Sequence, residues 1–435
     1  MLSLSDKDFR LTYCILEAPL PLMDYVATIQ LKPVTDGDRT FWEWRSEFEP
    51  PERRRDELAN LVTRDIYQAG FSAIRRLFSK SAPRPAVAPP AARPVASAEQ
   101  PGRQFAAGTG GRTKAIVVER YGGPEVLAFA EIELPPPAPS EVQIRHTAIG
   151  VNYIDVYCRT GYFDLLTPPG VPGMEAAGVI EALGEDVRDF SVGDRVAYAC
   201  PPVGAYSERR NMSPDLLVRL SNDIPDDIAA ATLLKGVTAS FLLHDIHPIR
   251  PGEFVLAHAA AGGVGQILVQ WARHLGAAVI AVVSNDEKRQ ALERIGVPHI
   301  VVSSRERFVE AVMRITNGRG VDVVFDAVGA STFSDSLESL AIRGHLISFG
   351  QASGDIGERH IGRLSAKSVT LSRPNYGHYT DTADKLEAQV VRFFSALRQG
   401  VVSIAPPRIF DLAHASDAHR ELESRRTIGA LVLKP

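Results

Sequence analysis

One stretch, residues 253–289, constrains the fold of this chain more than any other. A short apolar run at 254–256 is followed by Ala- and Gly-rich residues, by apolar residues at helical spacing and by a second apolar run at 278–283. This order predicts a strand, a tight turn, a helix that ends at Gly276 and a second strand, within the ~30 residues that such a unit needs. The unit is the outline of a dinucleotide-binding site.

The turn of this unit, residues 260–265, reads AAGGVG, so that Ala260 stands where the usual pattern has its first glycine. At Gly262 the backbone can approach a pyrophosphate, and Gly265 allows the helix to pack close to the strand. The N–H groups at the start of the helix attract phosphate oxygens. A tight turn without a ligand is the alternative for the glycines alone, but the flanking strands and helix favour the binding site.

The end of the second predicted strand indicates which nucleotide binds. NAD sites place an acidic residue about 20 residues after the glycines, where its carboxylate holds the ribose 2′-hydroxyl and would repel a 2′-phosphate. Here that position is Ser284, and Lys288 and Arg289 follow one helical turn later. We therefore predict NADPH. Asp286 and Glu287 oppose this interpretation if they blunt the basic patch, and a solvated basic face is the alternative for the two cations.

Composition limits the class of protein. The 435 residues are 45% apolar and 23% charged with a net charge of -4, as in a soluble chain of roughly two to four domains without the basic excess of nucleic-acid-binding proteins. We find no signal-peptide pattern and no apolar run of the ~20 residues that span a bilayer, so we expect a cytoplasmic protein. Cys14, Cys158 and Cys200 are isolated, which indicates neither a disulfide framework nor a structural zinc site.

The first part of the chain differs from the rest. Residues 11–22, 24–34 and 39–48 are predicted strands, and a helix is predicted to begin near Pro51. Residues 81–112 are rich in Pro and Ala and are predicted to be an extended linker.

From Thr113 onward, short β-type runs bounded by Gly and Pro are typical of a compact β-barrel. Helices are predicted near 226–233 and 237–243, followed by the nucleotide unit. Further strands are predicted at 299–302, 321–325 and 345–349, which gives a doubly wound parallel sheet. After about Arg373 the chain is expected to return to the first lobe and to end there as a strand.

Seven segments occur in order between residues 113 and 435: ERYGGPEVL, AIGVNYIDVYCRTGYF, PGMEAAGVI, LLKGVTA, HAAAGGVG, VVFDAVG and ISFGQASG. Through them the chain resembles the quinone oxidoreductase (zeta-crystallin-like) branch of the medium-chain dehydrogenase/reductase superfamily. The resemblance implies an α/β fold with a GroES-like β-barrel lobe, residues 113–235 completed by 373–435, and a Rossmann NADPH-binding domain, residues 236–372. It also implies a homodimer.

Three segments near the N-terminus, YCILEAPLPLMDYVATIQLKPV, RTFWEWRSEF and IYQAGFSAIRRL, resemble the C-terminal half of the polyketide cyclase-like (SRPBCC) helix-grip family. Residues 1–80 would then be a partial α+β helix-grip segment. Because the first half of the family's sheet is missing, we expect a truncated remnant, or a segment that docks on the rest of the chain or on a second copy. An independent ligand-binding function is the alternative.

The resemblance to the medium-chain dehydrogenase/reductase superfamily also predicts whether the protein binds zinc. Zinc-dependent relatives carry a catalytic cysteine and a nearby histidine where this chain has Asn152 and Tyr157, and Gly-His-Glu where it has Gly173, Met174 and Glu175. A catalytic zinc needs three good protein ligands, and these positions offer one carboxylate. We therefore predict no metal.

Catalysis is then expected to rest on positioning and hydrogen bonding, since the cofactor carries the hydride. A quinone that accepts a hydride builds negative charge on oxygen, which a hydroxyl or amide donor can stabilise. Asn152 and Tyr157 are the candidate donors. The alternative for each is a buried polar residue bonded to nearby backbone.

The resemblance further implies that the nicotinamide lies in the cleft between the lobes, with residues 153–157 along one wall. A tyrosine that contacts the cofactor in relatives is replaced by Ser303 here. Two arginines, Arg373 and Arg425, are also expected to contact the cofactor, and a surface salt bridge is the alternative for each. The expected cofactor contacts are Tyr153, Asp155, Lys235, Thr238, Phe241, Gly262, Gly263, Val264, Gly265, Gln266, Ser284, Lys288, Phe349, Gly350, Gln351, Arg373 and Arg425.

These features predict an NADPH-dependent, zinc-independent quinone reductase. A reductase of the same branch that acts on conjugated enones or enals is the first alternative, because it needs the same cofactor geometry and an apolar slot. A non-enzymatic NADPH-binding or RNA-binding protein is the second, and the absence of a basic stripe argues against it.

Overall fold

The structure, a computed structural model, describes residues 111–435 throughout and, before them, the backbone of four strands. These are β1 (Ser3–Ser5), β2 (Arg10–Cys14), β3 (Met23–Val34) and β4 (Arg39–Glu49), which form an antiparallel sheet in this order. The strands predicted at 24–34 and 39–48 are confirmed, whereas only the start of the one predicted at 11–22 is described. The predicted helix from Pro51 and residues 81–110 of the predicted linker lie outside the described residues. The last two residues predicted for the linker, 111–112, belong to a strand instead, Gly111–Val118.

The chain divides into two compact units, Met1–Gln100 and Pro101–Pro435, and the second contains the remaining elements. Its strands are β5 (Gly111–Val118), β6 (Leu127–Leu134), β7 (Val142–Val151), β8 (Glu175–Leu183), β9 (Arg195–Ala199), β10 (Arg209–Met212), β11 (Val218–Arg219), β12 (Phe254–Ala257), β13 (Ala278–Val283), β14 (His299–Val302), β15 (Val321–Asp326), β16 (Leu340–Ser348), β17 (Thr370–Ser372), β18 (Arg408–Asp411) and β19 (Leu431–Lys434). Its α-helices are α1 (Tyr153–Arg159), α2 (Asp226–Phe241), α3 (Gly263–His274), α4 (Asp286–Arg294), α5 (Phe308–Ile315), α6 (Phe333–Ser339), α7 (Ala383–Arg398) and α8 (Ala415–Glu423).

The first lobe is built on a seven-stranded sheet. Its strands follow the order β11-β9-β8-β7-β19-β18, with β10 also paired to β7. Side chains from these strands, among them Ile144, Ile180 and Tyr198, fill a core without contact with solvent. Because β19 pairs with β7, the end of the chain closes this lobe as predicted.

The second lobe is a six-stranded parallel sheet in the order β14-β13-β12-β15-β16-β17. This order reverses direction at β12, as in dinucleotide-binding sheets, where ligands bind at the carboxyl ends of the strands beside the reversal. The two strands at the reversal, β12 (FVLA) and β13 (AVIAVV), are apolar throughout, as expected for parallel strands that are covered on both faces. The predicted fold class, a GroES-like β lobe joined to a Rossmann-type sheet, is confirmed for the described residues.

Helix α2 corrects one prediction. The sequence indicated two helices, at 226–233 and 237–243, but the structure has one helix to Phe241, which continues as a π-turn at Leu242–Ile246. The helix continues through Gly236. A Cβ at this position would lie 2.4 Å from the ring of the buried Phe393 on α7, so the position needs a residue without a side chain. The glycine therefore allows α2 and α7 to approach closely.

After about Arg373 the chain forms α7 before it reaches β18 and β19 of the β lobe. The apolar face of α7 joins the core that α2 shares with the parallel sheet, and Arg398 at its end donates to Asp223, in the segment before α2, at 2.7 Å. The boundary near Arg373 stays a prediction. None of the helices that the structure describes is long and apolar enough to cross a membrane.

We predict that Gly236→Ala lowers the free energy of unfolding by about 1–3 kcal/mol, the usual range for overpacking a core. In denaturant titrations, the combination with Phe393→Leu should reduce this cost, because the smaller side chain makes room. A rise in stability of ~1 kcal/mol, as helix propensity alone would give, would contradict the packing account.

Candidate active site in the cleft between the two lobes

A cleft of about 1020 Å³ opens at the carboxyl ends of the parallel strands, between the two lobes. At one end it is lined by the turn after β12 and by the ends of β13 and β14. At the other it is lined by α1, by the segment after it and by residues of α2. The volume lies at the upper end of the range for small-molecule sites, roughly 300–1,000 Å³.

The glycine turn leaves backbone donors facing this cleft. Gly262 is the extended residue before α3, with φ −77° and ψ 177°. The N–H groups of the first helical residues, Gly263, Val264 and Gly265, cannot find acceptors within the helix. A Cβ at Gly265 would lie 2.4 Å from the carbonyl oxygen of Ala259, so the close approach of strand and helix needs glycine. The turn can therefore receive a pyrophosphate.

The basic residue nearest the end of β13 also lines the cleft. Asn285 caps α4, since its Oδ1 accepts the N–H of Lys288 at 3.0 Å, and this directs the lysine from the first turn of α4 toward the cleft. Its Nζ donates to the carbonyl oxygen of Arg425 at 2.7 Å, and burial lowers the pKa of Lys288. Beside it on the cleft lies Ser284.

Two other charges of α4, Arg289 and Asp286, form ion pairs with residues that are not in the glycine turn. Arg289 pairs with Glu293 at 2.8 Å along the exposed helix face, and Asp286 pairs with Arg305. The solvated-face alternative therefore describes Arg289, whereas Lys288 is a cleft residue.

The centre of the cleft holds a buried polar cluster of Asn152, Glu175 and Lys235. The Lys235 Nζ donates to Asn152 Oδ1 at 2.7 Å and to Glu175 Oε2 at 3.3 Å, and Asn152 Nδ2 donates to the same Glu175 oxygen at 2.8 Å. The second carboxylate oxygen accepts the N–H of Leu234 at 2.6 Å. The three side chains are only 4%, 0% and 6% exposed, respectively.

Small residues make room for this cluster. A Cβ on Gly150 would lie 2.5 Å from Glu175 Oε2, and one on Gly263 would lie 2.6 Å from Lys235 Cδ. The lysine stem therefore passes directly beside the glycine turn before its ammonium reaches Asn152. The cluster thus lies next to the start of α3, although its members come from β8, α2 and the residue before α1.

Asp155, an expected cofactor contact, has a different position. Its side chain is 0% exposed and does not line the cleft. Its Oδ2 accepts the N–H of Asn152 at 2.8 Å and the hydroxyl of Tyr206 at 3.1 Å. Desolvation raises the pKa of Asp155 to about 7. Asp155 therefore stabilises the start of α1 from the side away from the cleft, because its short side chain folds back and bonds the backbone N–H of Asn152.

Aromatic side chains form one wall of the cleft. The rings of Tyr153 and Tyr157 lie 5.7 Å apart, and Phe163 meets Tyr157 edge-on at 5.3 Å. The Tyr157 hydroxyl accepts the N–H of Gln351 at 3.2 Å, which leaves its own proton available for a ligand. Burial raises the pKa of this hydroxyl to about 12, so it stays a donor at neutral pH.

The loop after β16 also lines the cleft, next to Tyr157. Arg373 donates to Ser348 Oγ at 3.1 Å and to Gln351 Oε1 at 2.5 Å, so its guanidinium orders the loop and makes no salt bridge among the described residues. The Gln351 Nε2 is buried without a partner in the part of the chain that the structure describes. A buried amide donor of this kind indicates a ligand group that has yet to bind.

The cleft brings together most of the residues that the sequence singled out. Gln266 stays outside it, like Asp155, because its amide turns back to the carbonyl oxygen of Ala261 at 2.9 Å. The predicted residues that line the cleft are Asn152, Tyr153, Tyr157, Lys235, Thr238, Phe241, Gly262, Gly263, Val264, Gly265, Ser284, Lys288, Phe349, Gly350, Gln351, Arg373 and Arg425.

Sequence reasoning missed several lining residues. Tyr376 lines the cleft, and its hydroxyl is buried without a partner among the described residues. Phe163 and Arg307 also line it. Arg307 lies beyond the end of β14, a position that the strand pattern could have indicated, whereas no local signal pointed to Tyr376.

Comparison with known proteins assigns the family. The model of the alcohol dehydrogenase GroES-like domain matches residues 138–222, and that of the zinc-binding dehydrogenase matches residues 263–395. A quinone oxidoreductase of Pseudomonas aeruginosa is 43% identical over 74% of this chain and 99% of its own length. The chain belongs to the quinone oxidoreductase-like branch of the medium-chain dehydrogenase/reductase superfamily.

Two further relatives of this branch are informative. A 2-haloacrylate reductase of a Burkholderia species is 41% identical over 74% of this chain and 98% of its own length. The structure of the Escherichia coli quinone oxidoreductase complexed with NADPH is 38% identical, with a TM-score of 0.72, and the match covers 74% of this chain and all of that one. The match to the whole of that structure supports the assignment to this branch.

The raised pKa of Asp155 leads to a prediction about stability. The folded protein holds the proton between pH 3.8 and about 7, whereas the unfolded chain releases it near pH 3.8. The free energy of unfolding should therefore fall as the pH rises through this window, because ionisation is penalised only in the fold.

Asp155→Asn should remove this contribution, which denaturant titrations across the window would measure. Asp189→Asn, at an exposed position, is the matched control and should keep the wild-type slope. Identical slopes in the wild type and in Asp155→Asn would contradict the burial argument.

Proposed function

We propose that this protein is an NADPH-dependent quinone reductase that works without a metal ion. The observation that carries the proposal is the single cleft with two different ends. One end offers the glycine turn and Lys288, and the other offers an aromatic wall beside Asn152 and Tyr157. An elongated nucleotide and a flat electron-poor ring can occupy the two ends together.

The cofactor end fits NADPH. The N–H groups of residues 263–265 are suited to the pyrophosphate, because the first turn of α3 leaves them without acceptors in the helix. Gly265 contributes by letting α3 pack close to the backbone of Ala259 and Ala260. Ser284 and Lys288 are suited to the 2′-phosphate, since the end of β13 carries a hydroxyl and a cation where NAD sites carry a carboxylate. When bound, NADPH supplies a hydride. The NADPH complex of the Escherichia coli relative supports this assignment.

The central cluster supports a reaction without metal. Zinc in a catalytic site takes three protein ligands, but Asn152 and Glu175 are already bonded to the ammonium of Lys235. A divalent cation there would be repelled by that positive charge at close range.

The aromatic end supports a quinone as substrate. Tyr153, Tyr157 and Phe163 offer ring edges and faces to a flat molecule. The free hydroxyl proton of Tyr157 can bond a quinone oxygen, and so stabilise the negative charge that grows there. The quinone oxidoreductase names of the relatives agree with this substrate class.

The second candidate is a reductase of conjugated double bonds. The 2-haloacrylate reductase of Burkholderia, 41% identical, supports it, since a haloacrylate is an electron-poor alkene. Both reactions place developing negative charge on oxygen and use the same cleft.

Steady-state oxidation of NADPH by 1,4-benzoquinone and by 2-cyclohexenone, measured in parallel, tests the proposal. We expect a higher kcat/KM with the quinone, and no loss of rate after dialysis against a chelator. A higher kcat/KM with the enone would favour the second candidate, and tight NADPH binding without turnover would contradict both.

Lys288→Glu tests the cofactor assignment. Losing a charged hydrogen bond to the 2′-phosphate costs about 1.5–3 kcal/mol, so the dissociation constant for NADPH should rise about 10- to 100-fold. That for NADH should change little. Fluorescence titration of the reduced nicotinamide measures both constants. Arg289→Glu, on the exposed face of the same helix, should leave both constants near wild type, and equal losses for both nucleotides in Lys288→Glu would refute the role.

We further propose that residues 1–80 are a partial helix-grip segment, that residues 81–110 link it to the reductase, and that the protein is a homodimer. The antiparallel order of β1 to β4 supports the first proposal. The domain boundaries of the reductase, 113–235 with 373–435 and 236–372, are proposed with one refinement. A boundary at residue 235 passes through α2, which packs on both lobes.

A further inference from the structure

We propose that Lys235 is a catalytic residue whose ammonium is the fixed positive charge that stabilises the oxygen of the substrate. The inference rests on the proposed function and deepens it, because it names the group that replaces a Lewis acid in this cleft. It differs from the expected cofactor contact, in which Lys235 would serve the nucleotide.

The number of donors supports the role. An ammonium group has three N–H donors. Two of them go to Asn152 Oδ1 and Glu175 Oε2, which leaves one among the contacts that the structure describes. Lys235 lines the cleft, whereas Glu175 does not. The remaining donor is therefore available to a molecule in the cleft.

The position of the ammonium favours the substrate over the pyrophosphate. The methylene stem lies against the Cα of Gly263, at the start of α3. The ammonium extends beyond that turn to Asn152, which lies between the end of β7 and the tyrosines of α1. The charge thus lies where the aromatic wall begins, close to the expected place of the reacting ring.

The electrostatics also support it. Burial of an ion pair costs desolvation energy that the mutual attraction often fails to recover, so stability alone gives little reason for this pair. Glu175 accepts three hydrogen bonds, from Asn152, Leu234 and Lys235. These bonds fix the carboxylate behind the ammonium, and the carboxylate in turn holds the ammonium in one place. A fixed charge at a site that excludes water stabilises a developing anion without reorganisation.

The reaction balances without a proton from the lysine. A quinone that accepts one hydride, a hydrogen nucleus with two electrons, from the reduced nicotinamide becomes a hydroquinone monoanion. A proton from solvent then completes the hydroquinone. Lys235 stays an ammonium throughout and stabilises the monoanion oxygen.

Three variants test the role. Lys235→Met removes the charge but leaves Glu175 buried without its partner, which threatens folding. Lys235→Met combined with Glu175→Gln removes both charges and keeps an amide that can bond Asn152. The matched control is Lys385→Met, which removes an exposed lysine of α7 that is paired with Asp381. Thermal unfolding identifies the variants that remain folded.

The first readout is turnover of 1,4-benzoquinone. We expect kcat to fall about 100-fold in the folded Lys235 variants, as for loss of one donor in an oxyanion hole, with the dissociation constant for NADPH within a few-fold of wild type. Turnover at the wild-type rate in the double variant would overturn the proposal. A large loss of NADPH affinity with unchanged kcat would also overturn it, because it would show that Lys235 binds the cofactor instead of the substrate oxygen.

The second readout needs no turnover. The absorbance of 4-nitrophenol reports its ionisation, and its oxygen mimics the hydroquinone anion. When 4-nitrophenol binds to the NADP⁺-loaded wild type, its pKa should fall by about one unit, since a positive charge within ~4–6 Å of a phenolate has at least this effect. The double variant should bind it with an unshifted pKa, and Lys385→Met should behave as wild type. Absence of binding, or an equal pKa in wild type and double variant, would overturn the proposal.

The two readouts also separate this inference from the proposed function. If wild type reduces quinone while the Lys235 variants equal it, only the inference fails. If wild type lowers the pKa of 4-nitrophenol but reduces no quinone, the quinone assignment fails and the charge remains.

Discussion

The site depends on one buried ion pair, Lys235 with Glu175, which is completed by the amide of Asn152. The three side chains come from α2, from the first residue of β8 and from the residue before α1, and they meet with distances of 2.7 to 3.3 Å. Two of these positions depend on a glycine, since Gly150 makes room for the carboxylate and Gly263 for the lysine stem. The pair therefore connects the glycine turn to the wall of the cleft.

The proposed role of Lys235 would let one fold serve reactions with and without metal. At the residues where zinc-dependent relatives are expected to hold their ion, this chain has an amide and a carboxylate that share one ammonium. This positive charge belongs to α2, a helix that packs on both lobes. Packing therefore sets its position, and in the proposed reaction it takes the place of a metal ion.

Much of the fold could be predicted from local patterns. The strand, turn and helix around Gly262 follow from apolar spacing and glycines, and Asn285 does cap α4 as its position suggests. The full length of α2 was not predicted. It contains Gly236, whose lack of a side chain is explained by a ring of α7 more than 150 positions away in the sequence. Contacts of this kind leave no trace in the local pattern.

The residues of the candidate site also divide into those that local sequence patterns indicate and those that depend on contacts between distant parts of the chain. Residues beside the glycines or at strand ends could be named from the sequence, since such positions face a cleft in any doubly wound sheet. Asp155 could not be assigned correctly, because its burial behind Tyr206 depends on how the β lobe closes. The contact of Lys235 with Asn152 joins residues 83 positions apart, and only the packing of α2 brings them together.

A crystal structure of the NADPH complex, grown with zinc present and measured at the zinc absorption edge, tests the central claim most directly. The account predicts the pyrophosphate at the N–H groups of residues 263–265, the 2′-phosphate at Lys288, and no anomalous signal between Asn152 and Glu175. A zinc ion at that position, with Lys235 displaced, would contradict it.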